Sequence, residues 1–205
     1  MLVEFTVKNY RSIRDEQVLS LAKAKGDELK ETNSFDPKVP SSIPLLRSLA
    51  IYGPNASGKT NLIRAMAMMK LIVVESASNS QQGDPLPVTP FLFDETSSEK
   101  TTEFGATFIR EGVRCQYGFA VTKELVIEEW LIAYPKGRPQ RWFSRIYNEK
   151  NNVSDYEMGS SFTGQKNIWK NTTRNNALFL STAIQLNSKQ LRPVYNWFKE
   201  NFQLT

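Results

Sequence analysis

Gly53-Pro54-Asn55-Ala56-Ser57-Gly58-Lys59-Thr60 is the stretch on which the reading of this sequence turns. It matches G-x-x-x-x-G-K-[ST] at every fixed position. Each fixed residue has a physical reason. The glycines let the backbone curl until successive N–H groups converge, which makes an anion nest. A following helix adds the partial positive charge of its N-terminus at the same point. Lys59 is expected to reach the β- and γ-phosphates of a nucleotide, and Thr60 to offer its hydroxyl to magnesium. Asn61, next in the chain, is grouped with the loop as a cofactor-binding residue. The flanks agree with this. Leu49-Ala50-Ile51-Tyr52 is a short apolar run and predicts a strand buried on both faces. Leu62, Met66, Met69 and Val73 recur at helical spacing and predict a helix from about Lys59 to Glu75 with one face in the core. The methionines read as packing, not as a ligand box.

On the N-terminal side, Val3, Phe5 and Val7 alternate with Glu4, Thr6 and Lys8, the period of a half-buried strand. Val18-Leu19-Ser20-Leu21 follows after a polar turn, which predicts a hairpin. Residues 22–44 are polar and proline-bearing and predict a long loop. On the C-terminal side, 76–90 is rich in Ser, Gln, Asn and Pro and reads as loop. From Thr101 the period becomes two. Phe104, Ala106 and Phe108 alternate, Glu111-Gly112 reads as a hairpin turn, and Cys115, Tyr117, Phe119 and Val121 alternate again. Segments 126–133 and 140–147 predict two more strands joined across 135–139. The polar stretch 148–173 predicts loops and a short edge strand. Ala177-Leu178-Phe179-Leu180 has a buried-strand pattern, and Leu191, Val194, Tyr195 and Phe198 predict a helical stripe. The expected organisation is therefore α/β: 1–75 opening strands, P-loop and helix, 76–100 loop, 101–175 antiparallel β region, 176–205 strand and helix.

The chain has 205 residues, room for one large domain or two small ones. It has no histidine, which removes a Ser-His-Asp triad, a Cys-His dyad and most zinc sites. Any metal should then be oxygen-liganded, which favours magnesium. The single cysteine, Cys115, excludes an internal disulfide framework and reads as a small core residue. The net charge of +5 permits contact with nucleic acid or nucleotides, though a solvated basic surface explains it as well. No apolar run reaches the roughly 20 residues of a membrane helix, and Met1-Leu2-Val3-Glu4-Phe5 lacks a basic leader, so a cytoplasmic protein without a membrane partner is expected. No Asn-Lys-x-Asp motif for guanine is present, which leaves adenine as the default base.

Pro-Asn-x-Ser between the loop's glycines resembles the nucleotide loop of ABC-type ATPases, especially the RecF, SMC and Rad50 branch. Phe5-Thr6-Val7-Lys8-Asn9-Tyr10-Arg11-Ser12-Ile13 resembles that branch's opening strand and turn. Together with Pro90-Phe91-Leu92-Phe93-Asp94 and Glu129-Trp130-Leu131-x-x-Tyr134-Pro135-Lys136-Gly137, these segments are similar to the AAA15/OLD-like family of bacterial ATP-binding proteins, over essentially the whole chain. The resemblance implies the N-terminal lobe of an ABC-type head that binds ATP and Mg2+ and pairs with a second head as a homo-oligomer. It also implies links to DNA transactions and phage defence, with a nuclease effector as partner. The signature motif, the apolar strand ending Asp-Glu and the switch histidine of such heads are missing, so the chain is expected to be the N-terminal part of a longer ATPase that turns over poorly by itself.

Four further candidates follow. Leu178 to Gln185 reads as a strand leading into a helix, and ABC heads place a glutamine at such a strand end, which makes Gln185 a candidate for magnesium and γ-phosphate contact; an ordinary exposed glutamine is the equal alternative. Arg11 is a candidate nucleotide contact on the same resemblance, with a surface arginine as the alternative. Phe91-Leu92-Phe93-Asp94-Glu95 imitates a Walker B strand, which would give a self-contained P-loop NTPase of another class with Asp94 on magnesium and Glu95 on water. Pro90 argues against a central strand there. A third reading is a nucleotide-gated interaction module with little turnover. Lys136, Arg138, Arg141 and Arg145, interleaved with Trp142 and Phe143, form the densest basic cluster and suit either a nucleic-acid backbone or a solvated hairpin tip.

Overall fold

A computed structural model describes residues 1–26, 28–40 and 42–202. The strands are β1 (Leu2–Lys8), β2 (Gln17–Ser20), β3 (Ser34–Phe35), β4 (Leu45–Leu46), β5 (Thr102–Arg110), β6 (Val113–Val121), β7 (Val126–Tyr134), β8 (Gln140–Asn148) and β9 (Val153–Met158). The α-helices are α1 (Lys30–Asn33), α2 (Lys59–Glu75), α3 (Lys166–Thr172), α4 (Phe179–Gln185) and α5 (Arg192–Asn196), the last continued by a π-helical turn at Trp197–Asn201.

Seven strands form one sheet in the order β2-β1-β5-β6-β7-β8-β9, with antiparallel pairing throughout. The opening hairpin and the later β region are thus one layer, joined where β1 pairs with β5. The β5–β6 turn has positive φ at both Glu111 and Gly112, which matches the twist of its flanking strands. Alternation decides which face is buried. Phe5, Val7, Phe104, Phe108, Tyr117, Phe119, Leu131 and Phe143 point to one face, where they meet Met69, Ile72 and Val73 of α2 and Phe179 and Leu180 of α4. Trp197 of the C-terminal turn stacks on Phe108 at 4.0 Å between ring centres. On the opposite face the β3–β4 ribbon covers one corner only, through Leu45 against Val3 and Ile109.

Cys115 lies in this core, as its alternation predicts. Burial pushes its thiol up to about 12. The folded chain should therefore resist a thiol reagent at pH 8 and react with one equivalent once unfolded in urea, and prompt reaction of the native protein would contradict the packing. An unfolded thiol ionises near its ordinary value while the folded one does not, so the cysteine's contribution to stability is full below about pH 8.5. It falls as the pH rises toward 12.

Four expectations need correction. Residues 49–52 form no strand: Leu49, Ile51 and Tyr52 are 42%, 38% and 91% exposed. An apolar run becomes a buried strand only if neighbours pair with it, and every pairing of the seven-stranded sheet is made elsewhere. Residues 177–180 are buried as expected, but they open helix α4 rather than a strand. The polar stretch 148–173 contains helix α3 besides the edge strand β9. The loop 22–44 contains the short helix α1 and strand β3.

A buried polar network fixes α4 to the sheet. Glu129 and Arg145 are fully buried and 3.8 Å apart. Glu129 accepts from the Phe179 and Leu180 amides at 2.6 and 2.9 Å and from the Tyr117 hydroxyl at 3.0 Å, so a strand carboxylate caps the N-terminus of α4. Burial pushes its carboxyl up, against the pull of Arg145 and these three donors. Arg145 donates to Ser154 Oγ, Ala177 O and Arg174 O. The basic cluster is consequently not one patch. Arg145 faces the core, Arg141 pairs with Glu157 at 2.9 Å, and Trp142 and Phe143 are buried, so neither aromatic is free to stack on a base. Arg174 closes the network on α2 by donating to the carbonyls of Ser76, Ala77 and Ser80, which places a cation at the negative end of that helix.

Candidate functional site

The P-loop connects the exposed segment 49–52 to α2. Its curl depends on two left-handed residues, Ala56 at φ 64 and Gly58 at φ 95, the second serving as the N-cap of α2. A Cβ at Gly58 would have room, 3.8 Å from Ser12 Oγ, so glycine is needed there for its backbone angle and for close approach of a ligand. No side chain caps this helix start and no acid lies in its first turn, which leaves its amide dipoles available to an anion. Lys59 folds back over the loop. Its Nζ donates to Gly53 O at 2.6 Å, to Pro54 O at 2.7 Å and to Ser57 Oγ at 3.4 Å. A phosphate would take this ammonium from oxygens of the loop's own backbone. Asn55 and Thr60 are exposed.

The loop borders an open groove of about 750 Å³ whose other wall is the β1–β2 turn, with Ser12, Ile13, Arg14, Asp15 and Gln17. Local bonds put the turn there. The Tyr10 ring is buried against Phe104 and its hydroxyl donates to Arg64 O of α2 at 3.4 Å. Asn61 Nδ2 donates to Ser12 Oγ at 2.6 Å, so Asn61 ties the helix to the turn. The turn near the opening strand thus meets the P-loop, but Arg11 itself turns toward Tyr10, donating to its hydroxyl at 3.2 Å with its guanidinium 5.6 Å from the ring. Arg14 and Asp15 face the groove instead, paired with each other at 3.2 Å. Sequence reading noted Arg14 beside Arg11 at the opening strand but chose Arg11 as the contact, and it passed over Asp15.

Asn9 explains why two distant segments accompany each other in the sequence. It sits at positive φ and is nearly fully buried. Its Nδ2 donates to the carbonyls of Ser97, Lys100 and Thr101, and its Oδ1 accepts from the Phe91 amide. Arg11 N donates to Thr89 O. The end of β1 therefore organises residues 89–101. Within that loop Phe91 to Glu95 is not a strand. Asp94 caps its own turn, accepting from Thr96 N, Ser97 N and Ser97 Oγ, and the Ser97 bonds pull its carboxyl below the ordinary value. Neither Asp94 nor Glu95 lines the P-loop groove.

Gln185 is exposed at the C-terminal end of α4. That helix docks on the far end of α2, where Ser181 Oγ donates to Val73 O. Val73 is fourteen residues from Lys59, about 20 Å along a helix. Gln185 does not line the groove beside the P-loop. Magnesium would find oxygen donors in the Thr60 hydroxyl and the phosphates, while the Asp15 carboxylate lines the same groove as the loop and is paired with Arg14. Among the described residues no cluster of three acids, cysteines or histidines preforms a cage. A metal would arrive with the phosphates, as magnesium commonly does.

No described helix is long and apolar enough to cross a membrane. None of the curated proteins compared with the chain matches it. A protein family does match over residues 48–200, a span that opens just before the P-loop and includes β5 to α5. That family is one of P-loop nucleotide-binding domains. With the match covering most of its length, this chain belongs to the family described as "AAA domain, putative AbiEii toxin, Type IV TA system".

Proposed function

We propose that the chain binds ATP with magnesium through Gly53 to Asn61, as the N-terminal lobe of an ABC-type ATPase of the RecF, SMC and Rad50 branch, near the AAA15/OLD-like family. In this reading ATP drives association of two heads, and association regulates a nuclease or another DNA-related effector in phage defence. The observation that carries it is the Lys59 ammonium resting on loop carbonyls at an uncapped helix start, beside an open groove. The family's description, which includes a toxin of a type IV system, agrees with a defence role. The self-contained alternative built on Asp94 and Glu95 loses its support, because Asp94 is occupied as a turn cap.

Calorimetry and steady-state phosphate release test the reading together. ATP with magnesium should bind, while turnover stays near background and is the same in Glu95→Gln. No binding would refute the nucleotide site. Steady hydrolysis that disappears in Glu95→Gln would restore the self-contained enzyme.

A further inference from the structure

The sheet face opposite α2 carries a trough that the strand register builds. Two neighbouring rows cross four strands. One runs Thr6, Gly105, Gly118, Trp130 and the next runs Lys8, Glu103, Ala120, Glu128. On the two middle strands three of the four positions are small, Gly105, Gly118 and Ala120, and the fourth is Glu103. The result is a groove of about 280 Å³ lined by Gly105 and Ala120, by Trp130 and Glu128 of β7, by Lys8 and Glu103, and by Glu16 of the β1–β2 turn; the Trp130 ring lies over Gly118. The glycines are required by space. A Cβ at Gly118 would lie 2.7 Å from the Trp130 ring, and one at Gly105 would collide with the Thr6 hydroxyl.

Its electrostatics oppose those of the chain. The whole sequence is at +5, yet the trough has three carboxylates and one ammonium. Lys8 pairs with Glu103 at 3.2 Å, which leaves Glu16 and Glu128 as its two carboxylates outside that pair. Among the described residues no helix lines this trough, and the β3–β4 ribbon packs at the corner around Val3 and Ile109.

We propose that this trough is a docking site for an arginine side chain on a basic segment of a partner protein. A groove lined by an indole and carboxylates suits a planar cation that stacks and donates in its plane, and suits a compact, strongly hydrated ammonium less well. Charge complementarity selects the partner: a positively charged segment meets the acidic face of an otherwise basic chain. The trough shares no lining residue with the P-loop groove.

The test is a 1H–15N NMR titration of the 205-residue chain with acetyl-Gly-Arg-Gly-amide and its lysine and citrulline counterparts. The arginine peptide should shift the Trp130 indole and the Gly105, Gly118 and Ala120 amides with saturation. The lysine peptide should bind at least about tenfold more weakly, and the neutral, isosteric citrulline peptide should leave these signals in place. Glu128→Gln, an exposed substitution, should weaken arginine binding about tenfold with the spectrum otherwise unchanged. Equal binding of citrulline or lysine, undiminished binding in Glu128→Gln, or shifts elsewhere with these four signals unmoved would each overturn the proposal. Of the four tryptophans the other three are at most 8% exposed, so fluorescence quenching by the peptide gives a second reading of Trp130.

Discussion

Lys59→Ala is expected to lower the affinity for ATP with magnesium by about ten- to a hundredfold while leaving the fold intact. The ammonium contributes a charge-assisted contact to phosphate, and such contacts are worth roughly 1.5–3 kcal/mol. The substitution costs little in the free protein, because the oxygens that Lys59 occupies belong to residues open to water. Calorimetry on the two proteins, with circular dichroism to verify equal folding, gives the comparison. Equal affinities would remove Lys59 from the site. Gly58→Val should also lose binding, through its positive φ and the bulk set in the ligand's path rather than through lost charge.

The largest stability effect is expected at the Glu129–Arg145 pair. Glu129→Ala strands a fully buried guanidinium, two amides at the start of α4 and the Tyr117 hydroxyl. Breaking one side of such a pair costs about 3–5 kcal/mol, which for a chain of this size lowers Tm by roughly 6–20 °C. Glu129→Gln with Arg145→Met removes both charges and should cost less than the two single changes added together. Urea unfolding of the four proteins measures the coupling. Single substitutions that each cost less than about 1 kcal/mol would show that the network does not anchor α4.

These residues also mark the limits of what was legible from the amino-acid order. Period-two alternation gave the strands, since Phe104, Ala106 and Phe108 repeat over a stretch long enough to exclude a helix. The same alternation puts Glu129 in phase with Leu131 and Arg145 in phase with Phe143, so both charges were assigned to the buried face by a pattern already visible. The density of basic residues around Arg141 concealed it. Short apolar runs gave no such guidance. Segment 177–180 is equally consistent with strand and helix, and what decides for helix is a carboxylate about fifty residues earlier in the chain. The run 49–52 failed for a related reason, because strand formation is a property of pairs. The turn at Gly53 to Gly58 and the helix after it were legible, since their geometry is local. The second wall of the groove was not, because Asn61 and Ser12 meet only in three dimensions.

The Arg174 clamp on α2 has a mechanical consequence. Every buried residue of this helix lies from Ala65 onward, and the guanidinium grips the carbonyls just past its last turn. The first turn is held by the Asn61–Ser12 contact, by Leu62 against the core and, just beyond it, by the Tyr10 hydroxyl on Arg64 O. Such a body is a rod clamped from Ala65 to its far end, with only the phosphate-facing tip projecting from the clamp. A ligand gained or lost at the tip therefore meets the β1–β2 turn first and α4 last.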